Sequence, residues 1–348
     1  MTGPGLPATH LTTAKPIARK RKRKLFFITM AVLFPVITFI GFYQSYDSFG
    51  NGTLKIHWLT HIHSGLMTGW LLLYFIQALL AGTGHLKIHR RLGVLSFVWG
   101  VLVFVFMPIV TFRGLIANHP PEGSFLFDLL LIDFFEMTGF TLFFTWGMLA
   151  RKKNPAAHKR LLTLVTIVVV LAAVDRMRYT YSFPTFGLGP LATSFIYLDL
   201  LLIPIIVFDI RTLKRIHKTT VYSFTILIFL QVVTSNLYGS PAWHKFWFKT
   251  LSPFMEKIQE IRLTGDQSGP LLGEYESGIG KLTISRQNDS LFLQVNEEQK
   301  LQLGAVSATE LFLKAEVLGI FFTRKSDGTV AAAEARQIGR IYKMTKLN

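Results

Sequence analysis

The residues that could do chemistry in this chain are histidines and acids set in apolar surroundings. His57, His61 and His63 fall close together, and His57 and His61 are four apart, a spacing at which two imidazoles of one helix can meet a single cation. Further along, one apolar run carries Asp128, Asp133 and Glu136, the next ends in Asp175, and another holds Asp199. Asp133 and Glu136 share a helix face. Counted in from the ends of their runs, these groups lie at matching depth. His57, His61, His63, Asp133, Glu136, Asp175 and Asp199 therefore form a candidate pocket for a metal ion such as zinc, or for a small polar ligand. Arg176 and Arg178 offer the competing arrangement, in which the acids form ion pairs and the histidines sit wet at an interface.

A second constellation lies at the opposite ends of the apolar runs. His89, His158 and His217 each border a run, and two of them on facing helices would suit the axial ligation of haem b. Each also neighbours a lysine or arginine, as residues that contact lipid headgroups do.

What must position these groups is a set of long apolar segments. Half of the 348 residues are hydrophobic, 31 of them phenylalanine, and the mean hydropathy is +0.40. That composition points to a multi-pass membrane protein. Seven apolar runs, at 25–43, 62–81, 94–112, 125–150, 161–174, 191–210 and 221–237, give an expected seven-span α-helical bundle. The fifth has the shortest apolar part. In the run that follows the histidine cluster, His63, Met67, Trp70, Tyr74 and Gln77 recur at steps of three and four, so this helix faces other helices. Loops 85–93, 151–160 and 211–218 hold 12 Lys and Arg and the N-terminal tail seven, against four on the other side, at Lys55, Arg113, Arg176 and Arg178. This asymmetry places the N-terminus in the cytoplasm and the chain's C-terminal part outside it, with the protein in a cell (inner) membrane.

The formal net charge of +17 belongs to those loops: from Arg262 onward there are 11 Lys and Arg against 10 Asp and Glu. Orientation explains the basic run 18–24, and nucleic acid is not an expected partner. The chain has no cysteine, which excludes disulfides, thiolate metal sites and cysteine nucleophiles. HExxH, GxSxG and glycine-rich phosphate loops are absent too.

The expected organisation is a disordered basic tail at 1–24, the seven-span domain at 25–239, an interfacial amphipathic linker at 240–269 and an extracytoplasmic β domain at 270–348. The linker carries Trp243, Phe246, Trp247 and Phe254 among lysines. Beyond Gly269-Pro270 short alternating stretches such as KLTIS, LFLQV and GIFFTR are divided by turn sequences, Asp327-Gly328 among them. They predict an all-β meander, either a sandwich or a barrel.

Two stretches carry resemblances. His63, Leu66, Met67, Trp70, Leu73 and Gln77, with HRRLG at 89–93 and NPAAHKRLL at 154–162, resemble a family of uncharacterised bacterial multi-span membrane proteins. LLGEY, GKLTISRQNDSLFLQV, ELFL and GIFFTRKSDGTVAAAEARQIGRIYKM resemble the small β domain appended to class C β-lactamase-like serine hydrolases. That resemblance implies an accessory extracytoplasmic module and no catalysis, since no S-x-x-K nucleophile accompanies it. Three functions follow as expectations: a metal or small-ligand pocket, a haem redox protein, or a sensor or scaffold whose β domain binds an envelope component or protein partner. In each, the lipid bilayer is a partner.

Overall fold

The computed structural model describes residues 14–347. Among the described residues, the helices α1 (Ala14–Gly50), α2 (Trp58–Thr83), α3 (Leu86–Asn118), α4 (Leu126–Lys153), α5 (Pro155–Val169), α6 (Leu171–Thr180), α7 (Pro190–Asp199), α8 (Ile203–Leu213), α9 (Lys218–Leu237) and α10 (Pro241–Leu251), followed by short helical turns between Ser252 and Leu271, precede a β domain. Of the expected tail at 1–24, residues 1–13 lie outside the described residues, and from Ala14 onward the basic run 18–24 is continuous with the first helix. Lysine and arginine are good helix formers, and no proline or glycine interrupts the run.

Five segments are long and apolar enough to cross a membrane: Leu25–Gly50, Trp58–Thr83, Leu86–Asn118, Pro190–Leu213 and Lys218–Leu237. Helices α5 and α6 make a sixth if counted together, bent by 41° at Val170. The fourth expected run is the 28-residue helix α4, which is not among them. It carries Asp128, Asp133 and Glu136 in its first three turns and Arg151, Lys152 and Lys153 in its last.

The described residues divide into two compact units: 14–42, 64–105 and 136–232 form one, and 43–63, 106–135 and 233–347 the other. In the first, glycines let helices approach closely. A Cβ on Gly41 would lie 2.4 Å from the Ala173 carbonyl oxygen, and one on Gly69 would lie 2.2 Å from the Trp99 ring. The Trp99 indole N–H donates to the Leu66 carbonyl at 2.8 Å, and Trp70 packs edge-on to Phe140 and Phe144. Gln77 reaches Ser96 Oγ across the turn joining α2 to α3. The residues of the HxxLMxxWxxLxxxQ element thus serve in part as helix-packing contacts.

The second unit contains the β domain, which closes as an eight-stranded antiparallel barrel: β1 (Gly273–Ser277), β2 (Gly280–Gln287), β3 (Ser290–Val295), β4 (Leu301–Ser307), β5 (Glu310–Leu313), β6 (Gly319–Arg324), β7 (Val330–Gln337) and β8 (Arg340–Lys346), each paired with the next and β8 with β1. The inward positions alternate along every strand, as in Leu282/Ile284, Leu291/Leu293 and Ile320/Phe322, and their side chains fill the interior. Tyr275 is fully buried and donates its hydroxyl to the Leu271 carbonyl at 2.8 Å.

The same unit ties the barrel to helix ends and loops. Lys55 N–H donates to Gly339 O, and Ile341 N–H to Thr53 O, both at 2.8 Å, so loop 53–55 pairs with the β7–β8 hairpin. The Glu316 carboxylate, on the β5–β6 connection, accepts from Ser124 Oγ at 2.8 Å and from Phe125 N–H at 3.0 Å. A negative group there satisfies free donors at the start of α4 and meets the positive end of its dipole. Around this contact Phe112, Phe134, Trp243 and Trp247 interlock edge to face, with Leu115, Leu126, Phe127 and Leu130 buried beside them.

Candidate functional site

Among the described residues, no group of three or more histidine and acidic side chains is placed to hold a metal ion. Each member of the expected pocket has its own setting. His57 lies one residue before α2, where its Nδ1 accepts from Leu59 N–H at 3.3 Å, so it acts as a cap. His61 is exposed with its ring against Phe49, and His63 is half-buried on α2. These three and Asp133 belong to one compact unit, while Glu136, Asp175 and Asp199 belong to the other.

The acids have identifiable partners. Asp133 accepts from Thr111 Oγ1 at 2.8 Å. Asp199 accepts from Gln231 Nε2 at 2.9 Å. Asp175 pairs with Arg178 at 3.2 Å and accepts from Ser194 Oγ at 2.5 Å, while Arg178 Nε donates to the same serine. Arg178 is buried and its guanidinium also lies 3.7 Å from the centre of the Tyr179 ring. Arg176, by contrast, is exposed and covers the Phe42 ring. Glu136 is buried within α4. Asp175 and Arg178 therefore adopt the ion-paired arrangement that competes with metal ligation.

Two polar networks were not picked out from the sequence. Arg160 and Asp209 form an ion pair, both buried, that links α5 to α8. Asp209 also accepts from Thr220 Oγ1 at 2.6 Å and from His217 N–H at 3.0 Å, so one carboxylate gathers three helical segments. Asp209 sits inside the sixth apolar run, and that placement was the available signal. Asp128 accepts from Gly239 N–H at 2.7 Å and from His244 Nε2 at 3.0 Å, joining α4 to α10. His244 belongs to the aromatic linker, where no spacing marks it as a partner of Asp128.

The haem candidates are likewise engaged. His158 Nδ1 lies 2.8 Å from Gly147 O, and His89 Nδ1 lies 3.3 Å from the Gln77 backbone oxygen. His217 Nδ1 accepts from Thr219 N–H at 3.1 Å, capping α9. Its imidazolium is disfavoured by burial and then by the Arg160 charge, which hold its pKa below the ordinary histidine value.

Open polar space lies elsewhere. A cleft of about 430 Å³ lies between the segment at 260–263 and strands β2 to β4. Arg262, Arg286 and Lys314 line it, with Glu260 and Asp289. Lys314 pairs with Glu260 at 2.7 Å, and Arg286 with Asp289 at 3.3 Å. Arg286 is further fixed by donating to Ser268 Oγ at 2.9 Å and to the Asn288 carbonyl at 3.1 Å. No family model matches the chain, and neither a curated protein nor a solved structure matches it significantly.

Proposed function

We propose that this chain is a multi-pass protein of a bacterial cytoplasmic membrane that holds its barrel outside the cell's inner compartment as a binding module, a sensor or scaffold for an envelope partner. In this reading α4 crosses the membrane, and α5–α6 and α7–α8 each count as one span, giving seven with the N-terminus inside. The distribution of basic loops supports that orientation. The observation that carries the function is where the polar groups are engaged. Within the apolar helices Asp175, Asp199 and Asp209 bond to neighbouring side chains, which suits a rigid support. The open polar surface is on the barrel.

Reporter fusions test the topology: those after Lys153 and Lys218 should report cytoplasm, and those after Gly123 and the C-terminus should report outside. A C-terminal fusion active only in the cytoplasm would sink the reading. So would a Soret band or stoichiometric zinc in the purified, detergent-solubilised protein, since either would move the function to the histidines.

A further inference from the structure

Two consecutive apolar segments are interrupted part-way along. Helices α5 and α6, of 15 and 10 residues, meet at Val170 with a bend of 41°. The residues leading into that bend, Thr166-Ile167-Val168-Val169-Val170, are all β-branched, and their stiff side chains weaken the helix locally. Helices α7 and α8, of 10 and 11 residues, meet at Leu200–Leu202. There the Leu201 and Leu202 N–H groups donate three residues back, to the Leu198 and Asp199 carbonyls at 3.0 and 2.9 Å, a tightened turn of the kind that marks hinges. Pro204 enforces it, since proline has no N–H for the Leu200 carbonyl and its ring crowds that oxygen.

The strong ties run within each half and not across the joints. Helices α6 and α7, joined by 181–189, share the cluster of Asp175, Arg178 and Ser194. The joining loop is bound in as well: Phe183 N–H donates to the Arg178 carbonyl at 3.0 Å, Thr193 Oγ1 to the Gly189 carbonyl at 2.9 Å, and the Tyr197 hydroxyl to the Pro184 carbonyl at 2.9 Å. The other halves, α5 and α8, are joined by the buried Arg160–Asp209 pair. The α6–α7 hairpin meets α1 through Ala173 against Gly41 and Arg176 over Phe42, and meets α9 at the joint itself, through Asp199 and Gln231. At its tip Tyr181, Phe186 and Leu188 are exposed, and aromatic groups at the end of a span anchor in the headgroup region.

We infer that the α6–α7 hairpin rocks as one body about the paired joints at Val170 and Leu200–Leu202, and that the thickness of the bilayer sets its angle. This rests on the two segments crossing the membrane, as proposed above, and names what a sensor so built would read. A span that does not match the hydrocarbon core adapts by tilting or kinking, and an existing joint is where bending costs least. The interfacial groups at the tip follow the headgroups, so a change in thickness reaches the joints as a change in bend.

The test uses full-length protein in vesicles of phosphatidylcholine with monounsaturated chains of increasing length. The chain has no cysteine, so pairs of introduced cysteines carry spin labels without background, and electron paramagnetic resonance reads the distances. Thr185→Cys with Phe229→Cys spans the joints, Thr180→Cys with Ile196→Cys lies within the hairpin, and Leu149→Cys with Ile210→Cys lies among the opposite helix ends. A change in bend of about 10° on a lever of about 15 Å, the length of ten helical residues, moves the tip by about 3 Å. The first distance should shift by that amount between the thinnest and thickest vesicles, while the other two stay fixed. Pro204→Ala, which restores a helical donor at one joint, should reduce the shift by half or more. No shift in the first pair, an equal shift in the third, a change within the hairpin, or a shift untouched by Pro204→Ala would each overturn the inference. The topology fusions are read separately, so a fixed hairpin in a protein with its C-terminus outside removes the hinge and leaves the membrane-held barrel standing.

Discussion

A single buried carboxylate, Asp209, holds together the start of α5, the end of α8 and the start of α9 through Arg160, Thr220 and the His217 amide. Such a pair contributes little net stability when intact, but removing one partner leaves the other charge buried and alone. Asp209→Ala is expected to cost about 3–5 kcal/mol, read as a lower thermal midpoint in detergent. The double variant Arg160→Met with Asp209→Leu should recover most of that loss, because no charge is then left buried. If the double variant is as unstable as the single one, the pair does more than neutralise charge. Tyr275 supplies a second test. Burial pushes its hydroxyl pKa up to about 12, above the ordinary value of 10.0. The protonated form is therefore favoured by folding, so the stabilisation is present below the unfolded pKa and is lost as pH rises from about 10 towards 12. Tyr275→Phe should flatten the fall in stability over that window, at a cost near neutrality of about 1 kcal/mol for the lost bond to Leu271. A profile parallel to that of the unchanged protein would mean that Tyr275 does not titrate as proposed.

At the scale of elements, helix positions were legible because apolar runs of span length leave few alternatives. The run at 62–81 lies within Trp58–Thr83, and the run at 191–210 covers most of Pro190–Leu213. Strand alternation was equally plain in KLTIS and LFLQV, whose inward residues are the core leucines and isoleucine of β2 and β3. Partnership was not legible. The sequence offers Asp175 two settings, the histidine group and an ion pair with Arg176 or Arg178; the structure pairs it with Arg178, three residues away on its own helix, and adds Ser194 on the next, which nothing in the spacing marks. Depth is a one-dimensional quantity, and the face of the helix decides the neighbour. The same limit hid the close helix approaches. Gly41 reads as one small residue among phenylalanines, but α6 backbone lies where its Cβ would be. Backbone cannot turn aside as a side chain can, so Gly41→Ala should force α1 away from α6. Overpacking of this kind costs about 1–3 kcal/mol, so the thermal midpoint should fall. Gly65→Ala, on α2 with nothing near its Cβ position, is the control and should leave the midpoint unchanged or slightly raised. Equal effects of the two changes would remove the packing explanation.

At the scale of the whole molecule, the chain's order and its compact units do not coincide. The barrel lies at the C-terminal end of the sequence, after the exposed stretch 256–260, and reads as a module hung on a linker. Its compact unit nevertheless includes residues 43–63 and 106–135, far earlier in the chain. Loop 53–55 pairs with the β7–β8 hairpin at Gly339, where φ is +80° and a Cβ would sit 2.3 Å from the Lys55 carbonyl oxygen. A side chain there is strained and also displaces the loop. The second tie is Glu316 at the start of α4. If these contacts hold the barrel, the covalent link at 256–260 is dispensable once folding is complete. A site for a sequence-specific protease placed in that stretch should therefore be cut without release: the barrel should co-purify with the membrane part through size exclusion in mild detergent. Combining Gly339→Val with Glu316→Ala should let it go after cutting, while each change alone weakens retention. A barrel that separates from the unchanged protein as soon as the linker is cut would show that the linker, and not the paired loop and the helix cap, determines where the module is held.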